Sequence, residues 1–174
     1  MDIFPTIIMI FGGAGDLTWR KLMPSLFDLC RDGRMPKQFA IIAVDRIPYG
    51  DAELRNRFLD GVKRFSRKGK VKGRDWDDFA KQVTYHQGDF KDPVTYSNLE
   101  KRCAELEKNW KVKAGHIFHM ATPPVMVAAI ENIPLKNCSK NQMTIKITAG
   151  ILTNQGRMNN GMKVTTRAPG KNIR

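Results

Sequence analysis

Thr6-Ile7-Ile8-Met9-Ile10-Phe11 runs directly into Gly12-Gly13-Ala14-Gly15-Asp16-Leu17. Six apolar or β-branched residues without alternation predict a strand buried on both faces, the kind found in a parallel sheet. The glycines end it abruptly. From Asp16 to about Arg31 the apolar positions Leu17, Leu22, Leu26, Phe27, Leu29 and Cys30 recur at helical spacing, and Asp32-Gly33 closes the pattern. Pro24 inside that stretch predicts a kink or a broken first turn.

The same alternation continues down the chain. A second strand is expected at 39–44. A helix at 51–65 should carry Leu54, Phe58, Leu59, Val62 and Phe65 on one face, and a short helix is expected around 76–79. A third strand is expected at 83–86. Pro93 suits the first turn of a helix whose apolar face is Val94, Leu99, Cys103, Leu106 and Trp110. A fourth strand at 116–121 runs into Thr122-Pro123-Pro124, with one more helix expected at 125–133. Strands alternating with helices imply an α/β fold with a doubly wound, Rossmann-like parallel sheet.

The chain has 174 residues, 41% of them hydrophobic, enough for one domain with a core. No apolar run approaches the ~18 residues of a membrane span, and the start lacks the basic flank of a signal peptide, so a soluble cytoplasmic protein without a membrane partner is expected. Cys30, Cys103 and Cys138 form no C-x-x-C pair, which argues against a disulfide framework and against a cysteine metal site. The net charge of +13 is unevenly placed. Residues 1–131 hold 22 Lys and Arg against 17 acids, whereas the 43 residues after Glu131 hold 8 basic groups and no acid. Two regions follow: a domain at 1–133, and a basic tail at 134–174 with too few large apolar groups to fold, expected to be disordered. The segment from Arg64 to Arg74 holds six positive charges and two glycines and reads as a solvated loop ahead of a binding patch.

A glycine turn between a buried strand and a helix is where a dinucleotide's pyrophosphate binds. Gly12 permits unusual backbone angles, Gly15 allows close approach, and N–H groups at the helix start face the anion. The spacing is a G-G-x-G variant with Thr18 near the place of the last glycine, and a plain tight turn remains the alternative. At the end of the second strand a carboxylate accepts from a ribose 2′-OH, whereas an arginine holds a 2′-phosphate. This chain has both, Asp45-Arg46. The guanidinium fork favours NADP, use of NAD stays open, and a surface ion pair is the bland alternative.

The run Phe11-Gly-Gly-Ala-Gly-Asp-Leu-Thr-Trp-Arg-Lys-Leu-Met-Pro-Ser-Leu-Phe27 resembles the first turn and helix of the glucose-6-phosphate dehydrogenase family, F-G-A-S-G-D-L-x-x-R-K-L-x-P-x-L. Ile42-Ala-Val-Asp-Arg46, Tyr85-His-Gln-Gly-Asp-Phe90 and His119-Met-Ala-Thr-Pro-Pro124 resemble later family segments in the right order, over about residues 5–132. The resemblance implies a dinucleotide turn of Gly12, Gly13, Ala14, Gly15, Asp16 and Leu17, with Arg46 on the 2′-phosphate. It implies Asp89 and Phe90 near the adenosine, Ala121 and Pro123 near the nicotinamide, and Lys21 close to the phosphates and the active site. Ala14 departs from the family's serine or threonine and removes one hydroxyl donor.

By the same resemblance, the activity is oxidation of glucose 6-phosphate to 6-phosphoglucono-δ-lactone with NADP, in the pentose phosphate pathway. Its general base belongs to R-I-D-H-Y-L-G-K, which these 174 residues do not contain; nor do they contain E-K-P-x-G. His86, His116 and His119 fall in or beside strands, with His116 and His119 on opposite faces rather than forming a metal pair. The expectation is an NADP-binding part without catalytic residues, inactive alone. Glucose 6-phosphate would be a partner only with a substrate domain present, and exposed core would invite self-association. A frame change near codons 130–137 would account for the altered composition. The alternative is a non-catalytic nucleotide-binding module with a basic tail, though nucleic acid is not an expected partner.

Overall fold

The computed structural model describes residues 4–123, 126 and 143–147. Strands β1 (Thr6–Phe11), β2 (Phe39–Asp45), β3 (Val83–Gln87), β4 (Gly115–Met120) and β5 (Met143–Ile147) form one sheet in the order β3-β2-β1-β4-β5. Every pairing is parallel. β1 lies between β2 and β4, so Ile8 is level with Ile41 on one side and Ile117 on the other. β5 lies after residue 133, at 143–147. The expected helix at 125–133 falls outside the described residues apart from Met126, as does the rest of the tail.

Unbroken hydrophobicity in β1 is explained by two cores. Ile8 and Ile10 face a cluster with α1 (Met23–Arg31), α2 (Asp51–Phe65) and α3 (Gly73–Ala80). Ile7, Met9 and Phe11 face the opposite cluster, supplied by α4 (Pro93–Trp110) through Tyr96, Leu99 and Cys103. A strand covered on both faces needs apolar residues at both parities. Val94 departs from its expected place on the apolar face of α4: it sits in the first turn and is 59% exposed. Phe65 lies at the end of α2 and packs edge-on against Trp19, with ring centroids 5.1 Å apart.

The disturbance expected at Pro24 takes the form of a π turn just ahead of it, with Pro24 in the first turn of α1. Residues 18–22 form a π turn, in which the Met23 N–H donates to the Thr18 carbonyl, and the chain continues into α1. An α-helical proline clashes with the carbonyl four residues earlier, and widening the preceding turn relieves that clash without a break. The basic segment is a loop only at residues 66–72, between α2 and α3, and is tied to α1: Asp28 accepts from Ser66 Oγ and the Arg67 N–H, and Lys68 pairs with Asp32. Its other cations are exposed.

β3 ends the sheet on its side, and side chains cap its outward backbone. Asp51 Oδ1 accepts from the Tyr85 N–H at 2.6 Å, Arg55 Nε donates to the Val83 carbonyl at 2.8 Å, and Arg102 reaches the Tyr85 carbonyl at 3.4 Å. Open strand edges template pairing with other chains. Asp51→Ala should therefore lower unfolding stability by about 1–3 kcal/mol and increase concentration-dependent association in light scattering. Unchanged urea midpoint and scattering would show that this cap carries no weight.

Candidate functional site

The carboxyl ends of β1, β2 and β4 converge on the glycine turn. The Gly12 and Gly13 N–H groups both donate to the Val44 carbonyl, at 3.0 and 2.9 Å, and the Ala121 N–H donates to the Phe11 carbonyl at 2.8 Å. The turn is thus stitched to both neighbouring strands. Gly12 has φ of +81°, and a Cβ there would stand 2.6 Å from the Ala121 carbonyl oxygen. A Cβ on Gly13 would stand 2.6 Å from that of Ala43, so Gly13 is required by the close approach of the turn to β2. Gly15 is less confined; its Cβ would meet only the Gly12 carbonyl oxygen, at 3.1 Å. Thr18, at the place of a third glycine, is fully buried and donates its hydroxyl to the same Gly12 oxygen at 3.0 Å.

These bonds determine which turn donors can take an anion. Gly12, Gly13 and Gly15 use their N–H groups within the turn and its neighbours, and Ala14 donates to Asp45 Oδ2 at 3.1 Å. The N–H groups of Asp16 and Leu17, in the first turn of the helix, make no hydrogen bond among the described residues. Helix-start amides of this kind bind anions through direct donation and the helix dipole. The Asp16 carboxylate is paired with Arg20 at 2.7 Å, and Lys21 is exposed on the π turn.

At the end of β2, Asp45 is a junction. Its carboxylate accepts from the Ala14 N–H and, at 2.8 Å, from the Arg46 N–H. Its main-chain carbonyl accepts from the Gly88 N–H at 2.9 Å, and the Tyr85 hydroxyl lies between the Asp45 and Ile47 carbonyls. Burial, with the charge of Asp45 second, raises the Tyr85 phenol far above its ordinary pKa, so it stays a donor. The Arg46 side chain is exposed, and its guanidinium has no ion pair or hydrogen bond among the described residues.

The remaining expected residues fall into three environments. Asp89 Oδ1 accepts from the Lys91 N–H at 2.8 Å and shapes the entry to α4. Phe90 is a core residue, edge-on to Phe11 at 5.7 Å, and its carbonyl accepts from the Tyr96 hydroxyl. Ala121 borders Gly12, and Pro123 is exposed beside it in sequence. Between them Thr122 is buried, its hydroxyl without a hydrogen-bond partner among the described residues. The Asp45 carboxylate was expected at this strand end, but its bond to Ala14 was not, nor were the Tyr85 hydroxyl and the Gly88 N–H, although Tyr85 and Gly88 lie in the quoted Y-x-x-G-D segment.

His116 and His119 do point to opposite faces. His116 is level with Ile7 of the α4 core and His119 with Ile10 of the other. Burial holds His116 below the ordinary histidine pKa against the opposing charge of Glu107, whose Oε1 lies 3.4 Å away. His86 is lowered too, by burial and then by Arg102. No group of three metal-ligating side chains occurs among the described residues, and no described helix is long and apolar enough to cross a membrane.

The described geometry fits a dinucleotide: a glycine cradle that side chains would fill, two amides without partners, and an exposed guanidinium at the neighbouring strand end. Comparison with known proteins agrees. The sequence profile of a family described as "Glucose-6-phosphate dehydrogenase, NAD binding domain" matches residues 9–148. That match reaches past 132, where the motif resemblance ends, and includes β5; the loss of acids after Glu131 therefore does not coincide with the end of family similarity. The chain is 28% identical over 139 residues to a glucose-6-phosphate 1-dehydrogenase of Chlamydia muridarum, covering 80% of this chain and 27% of that protein. It is 32% identical over 149 residues to one from Kluyveromyces lactis, covering 84% and 28%. A solved glucose-6-phosphate dehydrogenase in complex with its substrate glucose-6-phosphate superposes with a TM-score of 0.71 at 29% identity, covering 83% of this chain and 30% of that one. The chain spans about a quarter of the length of the curated relatives it matches.

The different confinement of the glycines yields a paired prediction. Gly12→Ala should destabilise the fold by about 1–3 kcal/mol, because positive φ and the Ala121 carbonyl both oppose a Cβ. Gly15→Ala should melt within a few degrees of the unsubstituted protein while losing dinucleotide affinity by about tenfold, since its cost falls on ligand approach. Thermal melts and fluorescence titration check both; equal melting losses would contradict the assignment of roles.

Proposed function

The chain belongs to the glucose-6-phosphate dehydrogenase family through its NAD-binding domain, and on that premise we propose that it is the cofactor-holding part of an enzyme that oxidises D-glucose 6-phosphate. The observation that carries this reading is the glycine turn stitched to β2 and β4, with the Asp16 and Leu17 amides left for a pyrophosphate. In this reading, the cofactor is NADP, with NAD accepted. Arg46 would hold the 2′-phosphate, because its guanidinium is exposed and offers a planar fork to phosphate. Ala121 and Pro123 would border the nicotinamide side, and Asp89 would act by shaping the turn beside the adenosine. Lys21, exposed one turn along the helix, would add positive charge near the phosphates.

Bound, the nicotinamide would supply the hydride acceptor. The chain's own residues bind and orient. They do not supply the general base that the family's chemistry uses: the R-I-D-H-Y-L-G-K motif is not among the 174 residues, and His86, His116 and His119 lie within β3 and β4. Positioned hydride transfer needs that base together with a sugar-phosphate pocket. The chain alone is therefore proposed to bind dinucleotide without turning over glucose 6-phosphate. Measured turnover by the purified chain would contradict this.

The role of Arg46 is open to direct test. Arg46→Ala should weaken NADPH binding by about tenfold, the equivalent of one charge-assisted hydrogen-bonded pair, and NADH binding by less than about threefold. Fluorescence titration measures both constants, and equal losses would remove Arg46 from the 2′-phosphate.

A further inference from the structure

The charges of the chain are sorted by the direction of the sheet. Its strands are parallel, so each connection between a strand and a helix lies at one end or the other. The connections beyond the carboxyl ends, 12–17, 46–50, 88–92 and 121–123, hold two cations and three acids. At the amino ends lie 4–5, 32–38, 81–82 and 111–114, joined by the 66–72 loop that Asp28 and Asp32 hold to the end of α1. These segments hold nine cations and a single acid, Asp32. Arg34, Lys37, Arg67, Lys70, Lys72 and Lys111 are exposed there and make no ion pair among the described residues.

Two apolar side chains stand among these cations. Phe4 is 71% exposed and Val112 is 41% exposed. Both are held outward by a fixed main chain. The Phe4 carbonyl accepts from the Thr6 hydroxyl at 2.8 Å, and the next carbonyl, of Pro5, accepts from the Gly115 N–H at 2.7 Å. Val112 follows the left-handed turn at Lys111, φ +58°, and its N–H donates to the Glu107 carbonyl at 3.2 Å. The Glu107 carboxylate then holds Lys113 at 2.8 Å and the Ala114 N–H at 3.2 Å. We propose that the amino edge of the sheet docks on an anionic lipid surface, with Phe4 and Val112 entering the headgroup layer and the surrounding cations meeting acidic headgroups.

Basic residues near an acidic bilayer are attracted by its surface potential, and apolar side chains among them gain by leaving water at the headgroup boundary. Nucleic acid is the less suited polyanion. Its readers place a helix or strand in a groove, or stack bases on aromatic rings and guanidinium planes. This edge consists of connections, four of its six unpaired cations are lysines, and Val112 offers nothing to a base. The docking is peripheral, since no described helix is long and apolar enough to cross a membrane. The glycine turn, at the opposite end of the strands, stays open to water.

Co-sedimentation of the full 174-residue chain with vesicles of phosphatidylcholine carrying about 30% phosphatidylserine tests the surface. The chain should sediment with them at about 0.05 M salt, be released at about 0.5 M, and ignore vesicles of phosphatidylcholine alone. Because the whole chain is basic, two charge-matched double variants separate this edge from net charge. Lys37→Gln with Lys111→Gln should weaken vesicle binding by about twentyfold. Lys91→Gln with Lys101→Gln, at the carboxyl end and on the flank of α4, should weaken it by less than about threefold. Phe4→Ser should weaken it by about tenfold, with thermal melts unmoved because the side chain is exposed. Equal losses in the two double variants would overturn the proposal, as would unchanged affinity in Phe4→Ser or no binding by the unsubstituted chain. An oligonucleotide whose binding falls in these edge variants while vesicle binding does not would overturn it in favour of nucleic acid. Release from the vesicles by NADPH would place the lipid on the carboxyl end and overturn it too, whereas a chain that binds vesicles as expected but no dinucleotide would overturn the proposed function alone.

Discussion

Burial of β1 on both faces, with pairing on both edges, is the constraint from which the other features follow. A strand so placed is apolar wherever it is fully buried, from Ile7 to Phe11, and here it leaves the sheet at its carboxyl end through a turn with almost no room. Gly12 and Gly13 meet that last demand. Both amides reach one carbonyl of β2, and the chain then passes so close to Ala121 and Ala43 that a methyl group would collide on either side. The space that suits a pyrophosphate is a by-product of this confinement. Tight stitching consumes the first donors of the turn and leaves those of Asp16 and Leu17, at the start of the following helix.

The same economy governs the β2 end. Asp45 joins the β2 end to two other segments: the glycine turn through its carboxylate, and the β3 end through its carbonyl and the Tyr85 hydroxyl. The group that steadies the turn is thereby itself held from both sides, its carboxylate by two amides and its carbonyl by Gly88 and Tyr85. Arg46, one position on, is exposed and unconstrained by the described residues.

Much of this was legible in the sequence because it depends on local pattern. The apolar run at Thr6–Phe11, the helical spacing from Leu54 to Val62 and the proline-led start of α4 each express a periodicity that burial enforces. What could not be read depended on distance in space. Pro24 signalled a disturbance, but whether a helix breaks, bends or widens is decided by packing; here it widens into a π turn. Val94 carries an apolar side chain that faces outward, and Phe65 lies on Trp19 at a helix end, because periodicity does not reveal where a helix loses contact with the core. Composition marked a change after Glu131, yet β5 and the family match continue to 147 and 148, since a strand of five residues needs no acids to pair. The direction of the Asp45 carboxylate had no local signature, being set by Ala14, 31 residues away.

Backbone amide resonances followed during titration with NADPH test the central claim most directly. The account predicts that the largest shifts fall on residues 12–17 and 45–46, led by the amides of Asp16 and Leu17. Shifts centred instead on the groove beside α4 at Asn98, Lys101, Arg102 and Asn109, with the turn unmoved, would contradict it.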